Sequence, residues 1–170
     1  LELSKTGSHQ DAPVYFYLKF GERLEEMTDK TADYDGWLSR GWIQEEYIHV
    51  DVLPAKVKLP RRYSFRYMEL RVIDTSAKFQ LKIDGSCDTV SAVDMESVKP
   101  VDFGDPLLNQ IDLVSRKTLK ECMQDVFEDG PKRDRRMWLG DLRLQARANY
   151  YTFKNYDLAK RCMYIFAGLL

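Results

Sequence analysis

At 170 residues, with 26 basic against 27 acidic side chains, the chain carries a formal net charge of −1, so no global field draws it toward nucleic acid or an anionic membrane. Hydrophobic residues make up 44% and charged residues 31%, an ordinary globular mixture, and no apolar stretch reaches the roughly eighteen residues that would call for membrane insertion. Three cysteines without a Cys-x-x-Cys pair, and two isolated histidines, His9 and His49, offer neither a disulfide framework nor a zinc site.

The chain begins at Leu1 rather than Met and shows no signal-peptide pattern. That fits a processed chain or an excised piece and leaves the compartment unread. The first hundred residues read as β. Val14 to Phe20 is rich in aromatics, and Ile48, Val50 and Val52 alternate with polar neighbours. Asp29 to Trp42 holds too many Asp and Gly for a strand and reads as a long loop. Phe65 and Tyr67 share one parity and Met68, Leu70 and Val72 the other, which predicts a β-bulge near Tyr67–Met68. Phe79, Leu81 and Ile83 alternate, and Asp84-Gly85 follows as a turn signal. Short strands separated by turns predict an antiparallel sandwich or jelly roll over residues 1–104.

The mode changes near residue 100. Asp105 is placed to cap a helix whose first position is Pro106. Leu108, Ile111, Val114, Thr118, Cys122 and Val126 then recur at helical spacing, and Gly130-Pro131 is expected to stop that helix. A second helical pattern runs through Leu142, Ala146, Asn149, Tyr150 and Phe153, with Asp141 a candidate cap. A third follows Asn155 through Leu158, Cys162 and Ile165 and ends at Gly168. Cys87, Cys122 and Cys162 are all expected to act as small buried hydrophobes. Each helix has an apolar stripe that needs a partner. Residues 105–170 therefore read as the opening of a larger helical domain that is incomplete here.

Between the first two helical patterns lies Asp129-Gly-Pro-Lys-Arg-Asp-Arg-Arg-Met-Trp-Leu-Gly-Asp141, with three carboxylates, four cations and a tryptophan. Glycoside hydrolysis usually needs two carboxyl groups flanking the scissile bond, one protonating the leaving oxygen and the other activating water or attacking. Asp129, Asp134 and Asp141 are the candidates, and a loop at a helix mouth is a natural place for them. The same residues also fit a solvated connection whose charges pair weakly. The cations fit a short nucleic-acid patch less well, because Asp134 interrupts them. Trp138 fits either core filler or an apolar wall against a sugar ring.

This run resembles the signature of the bacterial α-L-rhamnosidase family of inverting glycoside hydrolases. That family carries Asp-x-Pro-x-Arg-(Glu/Asp)-x-Arg, then Trp, then Gly-Asp, in the same order and spacing. The likeness continues through Gln145-Ala146, Asn149-Tyr150 and Lys160-Arg161-Cys162. Upstream, Phe20-Gly-Glu-Arg-Leu-Glu-Glu-Met27 and Tyr63-Ser-Phe-Arg-Tyr-Met-Glu-Leu70 look like the β-domain that precedes the catalytic barrel in these enzymes. The resemblance implies β then α: a β-sandwich followed by the first helices of an (α/α) six-hairpin barrel. It implies removal of terminal α-L-rhamnose with inversion, and no metal or organic cofactor. It implies Asp134 as general acid, where the family typically has Glu. Asp129 and Asp141 would bind sugar hydroxyls, and Arg133 and Trp138 would shape the sugar pocket. The general base would be a Glu further along the family's barrel. The implied partners are a rhamnose-containing carbohydrate and the remainder of the same polypeptide's barrel, with no nucleic acid. The alternatives kept beside it are a non-catalytic carbohydrate-binding or scaffold β-sandwich unit, and a degenerate homologue.

Overall fold

All the strands precede the three long helices, as the change of periodicity near residue 100 predicts. The computed structural model describes residues 1–37, 39–132 and 134–169. Two units form, Leu1–Asp88 and Thr89–Leu170. The compositional break between Lys99-Pro100 and Asp105-Pro106 thus lies within the second unit.

In the first unit the strands are β1 (Glu2–Gly7), β2 (Val14–Gly21), β3 (Gln44–Val50), β4 (Ala55–Lys56), β5 (Tyr67–Asp74) and β6 (Phe79–Asp84). They make two antiparallel three-stranded sheets, ordered β4-β1-β6 and β3-β2-β5. Alternation along β2 explains the packing. Val14, Phe16, Leu18 and Phe20 point one way and are buried with Leu3 of β1, Phe79 of β6 and Val50 of β3. Removing a side chain such as Phe16 from water contributes about 2–3 kcal/mol. The other face of the central strand is also covered. Lys19 is buried there, donating to the carbonyl of Asp29 and pairing with Glu45 at 3.7 Å.

A short helix α1 (Glu25–Thr28) and two 3-10 turns, Thr31–Asp33 and Arg40–Trp42, occupy the segment after β2. Asp29 to Trp42 is therefore irregular, as its composition predicts, with Leu38 outside the described residues. The predicted bulge near Tyr67–Met68 lies elsewhere. The β2–β5 register slips between Tyr15 and Phe16, opposite Asp74 and Val72, so Ile73 falls between the pairs. The parity switch in the sequence marks strand entry instead. Phe65 precedes β5 and packs on Phe20 with ring centroids 4.9 Å apart. Its segment is pinned by reciprocal 2.8 Å bonds between the Gln44 amide and the backbone of Ser64.

The second unit holds α2 (Pro106–Cys122), α3 (Leu139–Tyr151) and α4 (Tyr156–Ala167). Asp105 caps α2, its carboxylate accepting from the backbone of Leu107 at 2.7 Å and Leu108 at 3.2 Å. Asn155 caps α4 by accepting from Leu158 at 3.1 Å. Leu119, Met123, Phe127, Leu142, Ala146, Leu158, Ala159 and Cys162 form the core of the three helices.

Three further expectations need correction. α2 ends at Cys122, well before Gly130-Pro131. Met123 and Phe127 form an isolated bridge instead, and the backbone N–H of Gln124 donates to the carbonyl of Val126 at 2.9 Å. Both apolar side chains still reach the core, so helical spacing persists without a helix. Asp141 lies in the first turn of α3, with Trp138 at the N-cap position. Cys87 is exposed, while Cys122 and Cys162 are buried as expected.

The first half of the α2 stripe stays uncovered: Leu107, Leu108, Ile111 and Val114 are exposed, as are Met163, Tyr164 and Leu169 at and beyond the end of α4. No described helix is long and apolar enough to cross a membrane.

Candidate active site

The charged run becomes a loop between the Met123–Phe127 turn and α3. Its stem is tied to every helix of the unit. The backbone N–H of Phe127 donates to Sγ of Cys162 on α4 at 3.3 Å. The N–H of Glu128 donates to the carbonyl of Cys122 at the end of α2 at 2.8 Å. Nε2 of Gln145 on α3 donates to the carbonyl of Glu128 at 2.6 Å. Asp129 then closes the loop twice over. Its N–H donates to the carbonyl of Arg136 at 2.9 Å, and its Oδ1 accepts from the N–H of Arg136 at 3.0 Å.

Within that closure the backbone turns left-handed at two consecutive residues, Asp134 at φ 58° and Arg135 at φ 49°. This region disfavours L-residues by roughly 1–2 kcal/mol each, Asp less than most because its short side chain bonds locally. Such a conformation persists only where surrounding bonds over-determine it, and it concentrates at functional sites. Asp129 and Asp134 are partly buried. Trp138 is 48% exposed, its backbone opening α3. Asp141 is exposed in the first turn of α3, where the helix dipole favours a carboxylate. Arg133 lies outside the described residues.

Asp129 and Asp141, with Glu128 and Glu121, also act electrostatically on the buried Cys122 thiol. The Cys122 thiol is pushed up to about 11, first by burial and then by the carboxylates of Glu128, Asp129, Glu121 and Asp141. Carboxylates of differing exposure and a half-exposed indole, all in one short run, are side chains that suit a polyhydroxylated ligand. Carboxylates accept hydroxyl donors, and the ring offers an apolar face. Among the described residues no cluster of His, Cys, Asp and Glu is arranged to hold a metal ion. A separate open groove of about 630 Å³, lined by residues including Tyr150, Tyr156, Lys160 and Tyr164, contains none of the run.

Sequence pattern alone passes over two parts of this arrangement. Gln145 follows Asp141 by four residues, which puts both on one face of α3. That spacing and the resemblance at Gln145-Ala146 are its signals in the sequence, and neither gives it a bond to the loop stem. Cys162 reads as a core hydrophobe, and its role as an acceptor for the loop stem has no sequence signature.

Comparison with known proteins agrees with this layout. Residues 1–89 match the glycosyl hydrolase family 78 alpha-rhamnosidase N-terminal domain. Residues 100–168 match the bacterial alpha-L-rhamnosidase 6 hairpin glycosidase domain. No curated protein matches the chain. A solved structure described as a rhamnosidase from Klebsiella oxytoca with rhamnose bound is similar at 46% identity and a TM-score of 0.82, over 98% of this chain. The chain spans about a third of that structure's length (33%). A family match across the β unit and another across the helices, in the same order, show that the chain belongs to the glycosyl hydrolase family 78 α-rhamnosidases.

Proposed function

We propose that the chain supplies the acid-side half of an α-L-rhamnosidase site that releases terminal α-L-rhamnose with inversion. Asp134 protonates the glycosidic oxygen as the bond breaks. Asp129 and Asp141 bind sugar hydroxyls, and Arg133 and Trp138 wall the pocket. A carboxylate outside these residues activates the attacking water from the opposite face. The β-sandwich domain falls within residues 1–104, its compact unit ending at Asp88, and residues 105–170 open the (α/α) barrel whose remainder covers the exposed stripe of α2. The observation that carries this reading is the left-handed turn at Asp134 and Arg135, held on a stem bonded to α2, α3 and α4.

General-acid assistance contributes about 10²–10⁴-fold. In the full-length polypeptide, Asp134→Asn is expected to lower kcat on an alkyl rhamnoside by a factor in that range. Proton NMR of the first-formed sugar checks the stereochemistry, with β-L-rhamnose expected. A variant as active as the parent on the alkyl rhamnoside removes Asp134 from the acid role, and α-L-rhamnose as first product excludes inversion.

A further inference from the structure

Gln145 is partly buried, and the two ends of its amide are treated differently. Nε2 donates to the carbonyl of Glu128 at 2.6 Å, while Oε1 is buried with no hydrogen-bond partner among the described residues. A buried acceptor left unbonded destabilises the fold. Packing alone thus gives no reason for glutamine over an apolar side chain of similar size. What the amide adds is a donor, aimed at the backbone one residue before the loop closure at Asp129.

The position has leverage. Glu128 is held by α2 through its N–H and by α3 through its carbonyl. The next residue closes the loop by two bonds to Arg136, and the left-handed pair Asp134–Arg135 lies inside that closure. The Asp129–Arg136 closure puts Asp134 two residues from a bonded pair, so the placement of the stem bears on the short loop that carries it. Gln145 also shares its helix face with Asp141, four residues earlier. One rigid element thereby sets the loop stem and carries a candidate sugar-binding carboxylate.

We infer that Gln145 is a positioning residue for the proposed acid: its bond to the Glu128 carbonyl fixes where the Asp134 carboxyl stands. This rests on the reading of Asp134 as the general acid. A poorly placed acid fails most where the leaving group needs its proton and least where the leaving group departs unaided.

The test uses the full-length enzyme and two substrates, an alkyl rhamnoside with a poor leaving group and a dinitrophenyl rhamnoside with a good one. Gln145→Met keeps the side-chain length and removes the donor. Its kcat on the alkyl rhamnoside is expected to fall about tenfold or more, since misplacement of about 1 Å costs on this scale. Its kcat on the dinitrophenyl rhamnoside is expected to change by less than about threefold, within what uniform effects on binding and folding produce. Gln145→Glu, which replaces the donor by an acceptor, is read by the same ratio if the Met variant does not fold. An equal loss on both substrates, or no loss on either, overturns the inference. Asp134→Asn is run alongside. If it lacks the leaving-group selectivity, the acid reading itself fails. If it shows the selectivity and the Gln145 variants do not, only the positioning role fails.

Discussion

Cys87 and Cys122 carry the same thiol in opposite surroundings. Cys87 is exposed and Cys122 is buried among carboxylates. Folding raises the Cys122 thiol from its ordinary 9.0 to about 11. Below pH 9 the thiol is protonated in folded and unfolded chains alike. Between pH 9 and about 11 the unfolded chain releases the proton and the folded chain keeps it, so stability falls as pH rises through that window. The loss is of the order of a kcal/mol. Urea unfolding at pH 8 and pH 10.5 measures it, and Cys122→Ala is expected to flatten the difference. An unchanged pH dependence in that variant would remove Cys122 as the source. The cysteines also mark what residue identity conveys. All three look like small hydrophobes in sequence, yet burial depends on which elements close over each one. The candidate acids behave similarly. Asp129, Asp134 and Asp141 are identified by motif. That Asp129 spends Oδ1 on the Arg136 backbone, and that Asp134 is left-handed, depends on how the loop closes.

At the element scale, caps are the most legible features and helix ends the least. Asp105 before Pro106, and Asn155 before Tyr156, start helices because a side-chain oxygen satisfies backbone donors that the helix leaves unpaired. Asp105→Ala is expected to cost the helical unit about 1 kcal/mol. Chemical denaturation followed by circular dichroism would register it, and a change below about 0.3 kcal/mol would show the cap to be dispensable. The far end of α2 illustrates the opposite case. Met123 and Phe127 are four apart and both apolar, so they continue the helical pattern, but they meet across a tight turn that still delivers both to the core. Spacing reports which side chains go inward, not the backbone path that brings them there. β5 repeats the point, since a parity switch caused by Phe65 packing ahead of the strand mimics a bulge.

For the molecule as a whole, order of domains and local chemistry diverge in how they are encoded. The β-then-α order follows from period-two alternation giving way to helical spacing, and the family from a run of fixed residue types. The exposed stripe of α2, with Leu107, Leu108, Ile111 and Val114 uncovered, leaves apolar surface that the proposed remainder of the barrel would bury. The proposed water-activating carboxylate lies in the same remainder. The 170-residue chain by itself is accordingly expected to release no nitrophenolate from an aryl rhamnoside. Measurable turnover would place both catalytic groups within these residues. By itself the amino-acid sequence determined the strands β2, β3, β5 and β6 in outline (though not β1 or β4), the starts of α2 and α4, the family and the identity of the candidate acids, because each is written in neighbours a few positions apart. Tertiary structure alone decided where α2 stops, which cysteines are buried, and how the acid loop is held. Its anchors come from far along the chain, Gln145 from 17 residues beyond Glu128 and Cys162 from 35 beyond Phe127. A hydrogen bond across such separations exists only once the helices have packed, and no local period or propensity carries it.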